Sequence, residues 1–177
     1  MALSAGALQL AGFLLAHGFW TISEETAQDR YVPQALCETV AGERRLITFD
    51  AATPEQSQAD ANSFMGSSAG QFVRCAFSRD AQVPLGQGKS ATALVIDLRD
   101  GGRELTILQA YRPAVADGGF ALLGDELVID SSGAPLLRSD EGAAIVALRE
   151  GAADHPALSE KWPQWNSNRE PVSPLVK

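Results

Sequence analysis

Ala91-Thr-Ala-Leu-Val-Ile-Asp-Leu-Arg99, then Asp100-Gly101-Gly102, then Arg103-Glu-Leu-Thr-Ile-Leu-Gln-Ala-Tyr111 reads as the two arms and the turn of a β-hairpin. Leu94, Ile96 and Leu98 recur at every second position before the turn, and Leu105, Ile107 and Tyr111 keep the same period after it. Period two places each set on one face of a sheet. Asp-Gly-Gly supplies residues that reach positive φ without strain, as a tight hairpin connection requires. Both arms carry apolar residues on their second face as well. The pair therefore belongs near the centre of the sheet, with Leu94, Ile96, Leu105 and Ile107 in the core.

Outward from the hairpin, Gly18-Phe-Trp-Thr-Ile22 and Tyr31 to Thr39 are β-prone runs, and Arg45-Leu-Ile-Thr-Phe49 returns after a turn at Val40 to Glu43. Thr53-Pro54-Glu55-Gln56 is a helix start, with Thr53 as N-cap, Pro54 in the first helical position and Gln56 where a capping box wants it. That helix is predicted to run to Met65 and stop at Gly66. Gln71 to Ser78 reads as a strand, followed by a Pro/Gly loop through Gly88; a further strand lies near Glu126 to Ile129 and is broken by Ser131-Ser-Gly-Ala-Pro135. Ser139-Asp140-Glu141 opens a last helix with the stripe Ala144, Ile145, Leu148 and Ala152. At the other end, Leu3 to Leu15 reads as a helix buried over most of its surface. Strands in hairpin-connected groups, each closed by a helix, predict an α+β fold: a mainly antiparallel sheet of about five to seven strands with two or three helices packed on it. The domain is expected over residues 1–165, with a flexible polar tail at 166–177.

A chain of 177 residues with 45% hydrophobic content can build one core. Its net charge of -8 and its scattered basic residues argue against nucleic acid and anionic membrane partners, because phosphate binding needs clustered Lys and Arg. Ala2 to Ile22 is uncharged and mostly apolar, but no Lys or Arg precedes Arg30, as a secretory signal requires, and Gln9, His17 and three glycines interrupt it as a membrane span. Cys37 and Cys75 are expected as buried free thiols in a cytoplasmic protein, a disulfide being the alternative in an oxidising compartment. With no CxxC and no Cys/His cluster, no metal or other cofactor is anticipated.

Several motifs invite chemistry. Gly66-Ser67-Ser68-Ala69-Gly70 matches the nucleophile elbow G-x-S-x-G, and Asp130 and His155 follow in the order of an α/β-hydrolase triad. The elbow needs a strand before it and a helix after it, whereas here a helix ends and a strand begins, so a glycine-rich helix stop is the preferred reading. Gly86-Gln-Gly-Lys89-Ser90 ends like a phosphate-binding loop, but Val83 replaces the first glycine and a strand follows, so the helix N-terminus that would hold the anion is lacking. His17, Trp20, Tyr111 and Arg112 remain as the candidate binding residues: a titratable ring, aromatic anchors and a cation with planar donors. Nothing here resembles a known family closely enough to name. The expected function is that of a non-catalytic binding or accessory protein, taking another protein or a small acidic ligand. A serine hydrolase using Ser68, His155 and Asp130, and a small-molecule carrier with a pocket between sheet and helices, are the alternatives.

Overall fold

The computed structural model describes residues 4–24, 30–68, 70–86, 89–135 and 138–172. Its elements are α1 (Ala5–Glu24), β1 (Gln34–Glu38), β2 (Arg44–Thr48), α2 (Pro54–Ser67), β3 (Arg74–Gly86), β4 (Lys89–Asp100), β5 (Arg103–Arg112), β6 (Ala121–Asp130), α3 (Arg138–Ala153), a 3-10 turn η1 (Pro156–Leu158) and α4 (Lys161–Ser167). The six strands form one antiparallel sheet in the order β2-β1-β3-β4-β5-β6. The architecture is α+β, as the sequence predicts, with one α-helix more than anticipated.

The predicted hairpin is present. β4 and β5 pair antiparallel, with Ile96 opposite Ile107 and Asp100 opposite Arg103. Gly101 and Gly102 form the two-residue turn, both at positive φ (55° and 83°), the requirement of a type I′ connection. Leu94, Ile96, Leu105 and Ile107 are buried.

Alternation along the strands gives the sheet two unlike faces. One carries Leu36, Ala76, Leu94, Ile96, Leu98, Leu105, Ile107, Tyr111, Leu122 and Val128, covered by α1, α3, η1 and α4 in the larger core. The other carries Ala35, Cys37, Cys75 and Phe77, covered by α2 through Ala61, Phe64 and Met65. Each large apolar side chain so buried contributes about 1.5–3 kcal/mol.

Three local expectations are corrected. Gly18 to Ile22 is helix rather than strand, because Leu15, Phe19 and Ile22 continue a three-to-four spacing against the core and α1 buries eleven of its twenty residues. The loop expected from 79 to 88 is mostly strand: Arg79 to Val83 pair with Val95 to Ala91 in an unbroken ladder, and Pro84 is accommodated at its end by a register shift. Gln87 and Gly88 lie outside the described residues, as do Ala69, Leu3 and 173–177. Cys37 and Cys75 are not free thiols. They stand directly opposite one another on β1 and β3 and form a disulfide across 38 residues of sequence.

The C-terminal residues up to 172 are tied to the sheet. Glu170 and β6 exchange backbone hydrogen bonds (Gly124 N–H to Glu170 O, 2.8 Å; Glu170 N–H to Leu122 O, 2.9 Å). Beside them the Glu126 carboxylate, its side chain fully buried, accepts from Arg149 (2.7 Å) and Arg169 (2.5 Å), while Arg169 also donates to Gln109 Oε1 at 2.6 Å. A buried carboxylate is tolerable only when paired and hydrogen-bonded in this way.

Candidate functional site

α2 crosses the second face of the sheet but covers only part of it. Ser57, Ala61 and Phe64 turn toward the sheet, and Gln58, Asn62 and Met65, at four-then-three spacing, form the adjoining stripe of the same helix. Beyond that stripe the face is open. A cleft of about 570 Å³ runs along it, lined by Gln58, Asn62 and Met65 from α2 and by Phe77, Arg79, Asp97, Arg99, Glu104, Thr106 and Ile129 from the strands, with Asp130 and Ser131 at one end.

The strand register explains the placement. Asp97 sits between Phe77 and Thr106, and Arg99 between Cys75 and Glu104, each a cross-strand neighbour on this face. The polar groups hold one another in fixed positions. Arg79 Nε donates to Asp97 Oδ2 at 3.2 Å and Thr106 Oγ1 to Asp97 Oδ1 at 2.8 Å. Arg99 donates through Nε to Glu104 (3.1 Å) and through Nη1 to the Met65 carbonyl (3.0 Å), which fastens the end of α2 to the sheet. Gln58 donates to Asn62 at 3.0 Å. At the cleft end, Asp130 accepts from the Ser132 hydroxyl (2.5 Å) and from the Ser132 and Ala134 amides (2.8 and 3.1 Å). Those bonds, the hydroxyl first, hold its carboxyl below the usual carboxylate range, so it is ionised at neutral pH.

The four residues named from the sequence fall in three places. His17 and Trp20, one turn apart on α1, lie together with ring centroids 5.5 Å apart, and His155 and Phe13 complete that cluster. Tyr111 is buried in the adjoining core against Phe19 and Phe120. Arg112, turned to the opposite face by strand alternation, is closed: its terminal nitrogens hold the Glu170 carboxylate, and it donates to the Gly119 and Gly118 carbonyls at 2.7 and 3.1 Å.

The residues of the hydrolase alternative are not assembled into a relay. Ser68 caps α2 with its N–H on the Phe64 carbonyl, on the face of the sheet opposite His155. His155 Nε2 faces His17 Nδ1 at 3.1 Å, and the Asp130 hydrogen bonds all go to its own turn. Lys89 opens a strand, so no helix N-terminus stands behind it. Among the described residues no group of three or more His, Cys, Asp and Glu is placed to hold a metal ion. Comparison with protein-family models, with curated proteins and with solved structures finds no match.

Sequence reasoning missed the cleft residues and the partnership of the two histidines. A signal for the cleft was present. Asp97 and Arg99 interrupt an apolar strand at every second position, and Thr106 and Glu104 answer them on the next strand. Charge on the second face of a central strand needs either a partner or a ligand.

Proposed function

We propose that this protein is a non-catalytic binding domain whose ligand is a small polar molecule held in the cleft between α2 and the open face of the sheet. The observation that carries this reading is the convergence of fixed donors and acceptors on one concavity whose volume lies within the roughly 300–1,000 Å³ of small-molecule sites. Two guanidinium groups, Arg79 and Arg99, face three carboxylates, Asp97, Glu104 and Asp130, so a polyanion is disfavoured. A ligand that both donates and accepts, neutral or zwitterionic, fits that balance better. Gln58 and Asn62 add amide groups of both kinds along one wall.

The disulfide between Cys37 and Cys75 supports an oxidising compartment in place of the cytoplasm expected from the sequence, since thiols are kept reduced in the cytosol. Catalysis is not part of the reading: the Thr106 hydroxyl does bond the Asp97 carboxylate in the cleft, but Arg79 holds the other oxygen of that carboxylate, and the three side chains are read as a fixed structural group.

The test is thermal-shift screening of the native chain and a cleft-blocked Thr106→Tyr variant against amino acids, sugars, polyols and short carboxylates. A ligand should raise the Tm of the native chain and leave the variant unmoved. Failure of every probe to stabilise the native chain, or equal stabilisation of both, overturns the reading.

A further inference from the structure

We infer that the His17–His155 contact is a proton-sensitive latch that joins α1 to the turn after α3 while both rings are neutral and opens when the pair takes up one proton. His17 projects from α1, and His155 occupies the N-cap position of η1, with its carbonyl accepting from Leu158 N–H at 3.0 Å. The imidazoles meet through His17 Nδ1 and His155 Nε2 at 3.1 Å. Their centroids stand 5.3 Å apart, which is the nitrogen separation plus about one ring radius at each end, so the two nitrogens face each other along the line of the rings.

The protons can be counted. A neutral pair carries two N–H groups on four nitrogens, and one of them occupies the contact. The other can sit on His17 Nε2, at the half-buried end of the pair. A pair with one added proton carries three. If the contact survives, both outer nitrogens must then be protonated, including His155 Nδ1. That atom is buried, in a residue only 3% exposed, and has no hydrogen-bond partner among the described residues. An N–H stranded there, on a cationic pair, costs far more than an ordinary unmade bond. The alternative is that two N–H groups confront each other and the contact breaks. Either way the first proton is taken up at the expense of the latch.

Among the described residues no carboxylate is placed to offset this. Phe13 and Trp20 flank the pair with rings. Of the charged groups on the packed elements, Glu24 of α1 is bonded to Lys161 of α4 at 2.8 Å and Glu150 of α3 to Gln9 at 3.2 Å. Arg149 of α3 is bonded to Asp125 and Glu126, and neither it nor Asp154 or Glu160 is among the described hydrogen-bond partners of either imidazole. Burial lowers both histidines from their ordinary value of 6.5, His155 further through His17. The unfolded chain therefore binds more protons below about 6.5. Stability that is complete above that pH is lost as the pH falls.

The chain has two histidines, so their ring nitrogens can be followed without ambiguity by long-range ¹H–¹⁵N NMR from pH 8 to 4.5. The latch predicts neutral tautomers in slow exchange with solvent down to and below pH 6.5, then joint protonation of both rings with a change in the Trp20 indole signal. In His155→Gln, which keeps a donor toward His17 and removes one titrating group, the paired transition should be replaced by titration of one ring. Independent titration of the two native rings at or above 6.5, or a Trp20 signal indifferent to pH, overturns the inference.

Discussion

Replacing Cys37 and Cys75 together by alanine should cost the protein about a third of the stability a domain of this size usually has, because the bond they form closes a long loop. The cross-link spans 38 residues of sequence, among them β2 and α2. The chain-entropy relation for a loop of that length gives about 4 kcal/mol at 25 °C. With an unfolding entropy of roughly 2.1 cal/mol/K per residue over 177 residues, the melting temperature should fall by about 10 °C. Both sulfurs are buried beneath α2, so the loss should be local in its first expression. Amides of β2 and α2 should exchange faster, whereas β4 and β5 should keep their protection. The assay is calorimetry of the native chain with and without a phosphine reductant and of the double variant, with thiols counted by alkylation and intact mass. Rapid alkylation of both cysteines in the untreated native protein, or a double variant melting within about 2 °C of it, would refute the reasoning.

Two further outcomes follow from packing and charge. Glu126→Ala leaves Arg149 and Arg169 without their shared buried partner and should cost about 3–5 kcal/mol in urea denaturation; a loss under 1 kcal/mol would mean that water replaces the carboxylate. Gly12→Ala would place a Cβ 1.8 Å from the Leu148 carbonyl, forcing α1 and α3 apart, and should destabilise by at least the about 1–3 kcal/mol of overpacking. Gly66→Ala, at a helical site with nothing within 4 Å, should be neutral or stabilising by up to about 1 kcal/mol, which makes it the control.

The sheet was legible wherever a turn and a two-residue period coincided, as in β4 and β5. It was misread where a local signal was outvoted by tertiary packing. Gly18 to Ile22 has the composition of a strand, yet Phe19 and Ile22 are pinned to the core of a helix that passes close over Leu94, with room there only for Gly18. Pro84 signals a loop, but the ladder from Arg79 to Val83 holds the chain extended up to it. The candidate site was less legible because its members come from separate elements. Nothing between residues 17 and 155 marks the two imidazoles as neighbours. The cationic planarity that recommended Arg112 as a ligand group is satisfied by Glu170, a residue within the stretch read as a free tail.

If the open face of the sheet beside α2 is the binding surface, amide-shift mapping will locate the ligand there. The ¹⁵N-labelled chain is titrated with the strongest stabiliser from the thermal-shift panel and the shifts are followed residue by residue. Saturable changes should appear at Gln58, Asn62, Asp97, Thr106 and Ser131, and α1 should stay silent. Changes centred on His17 and Trp20, with the cleft amides unmoved, would contradict the account.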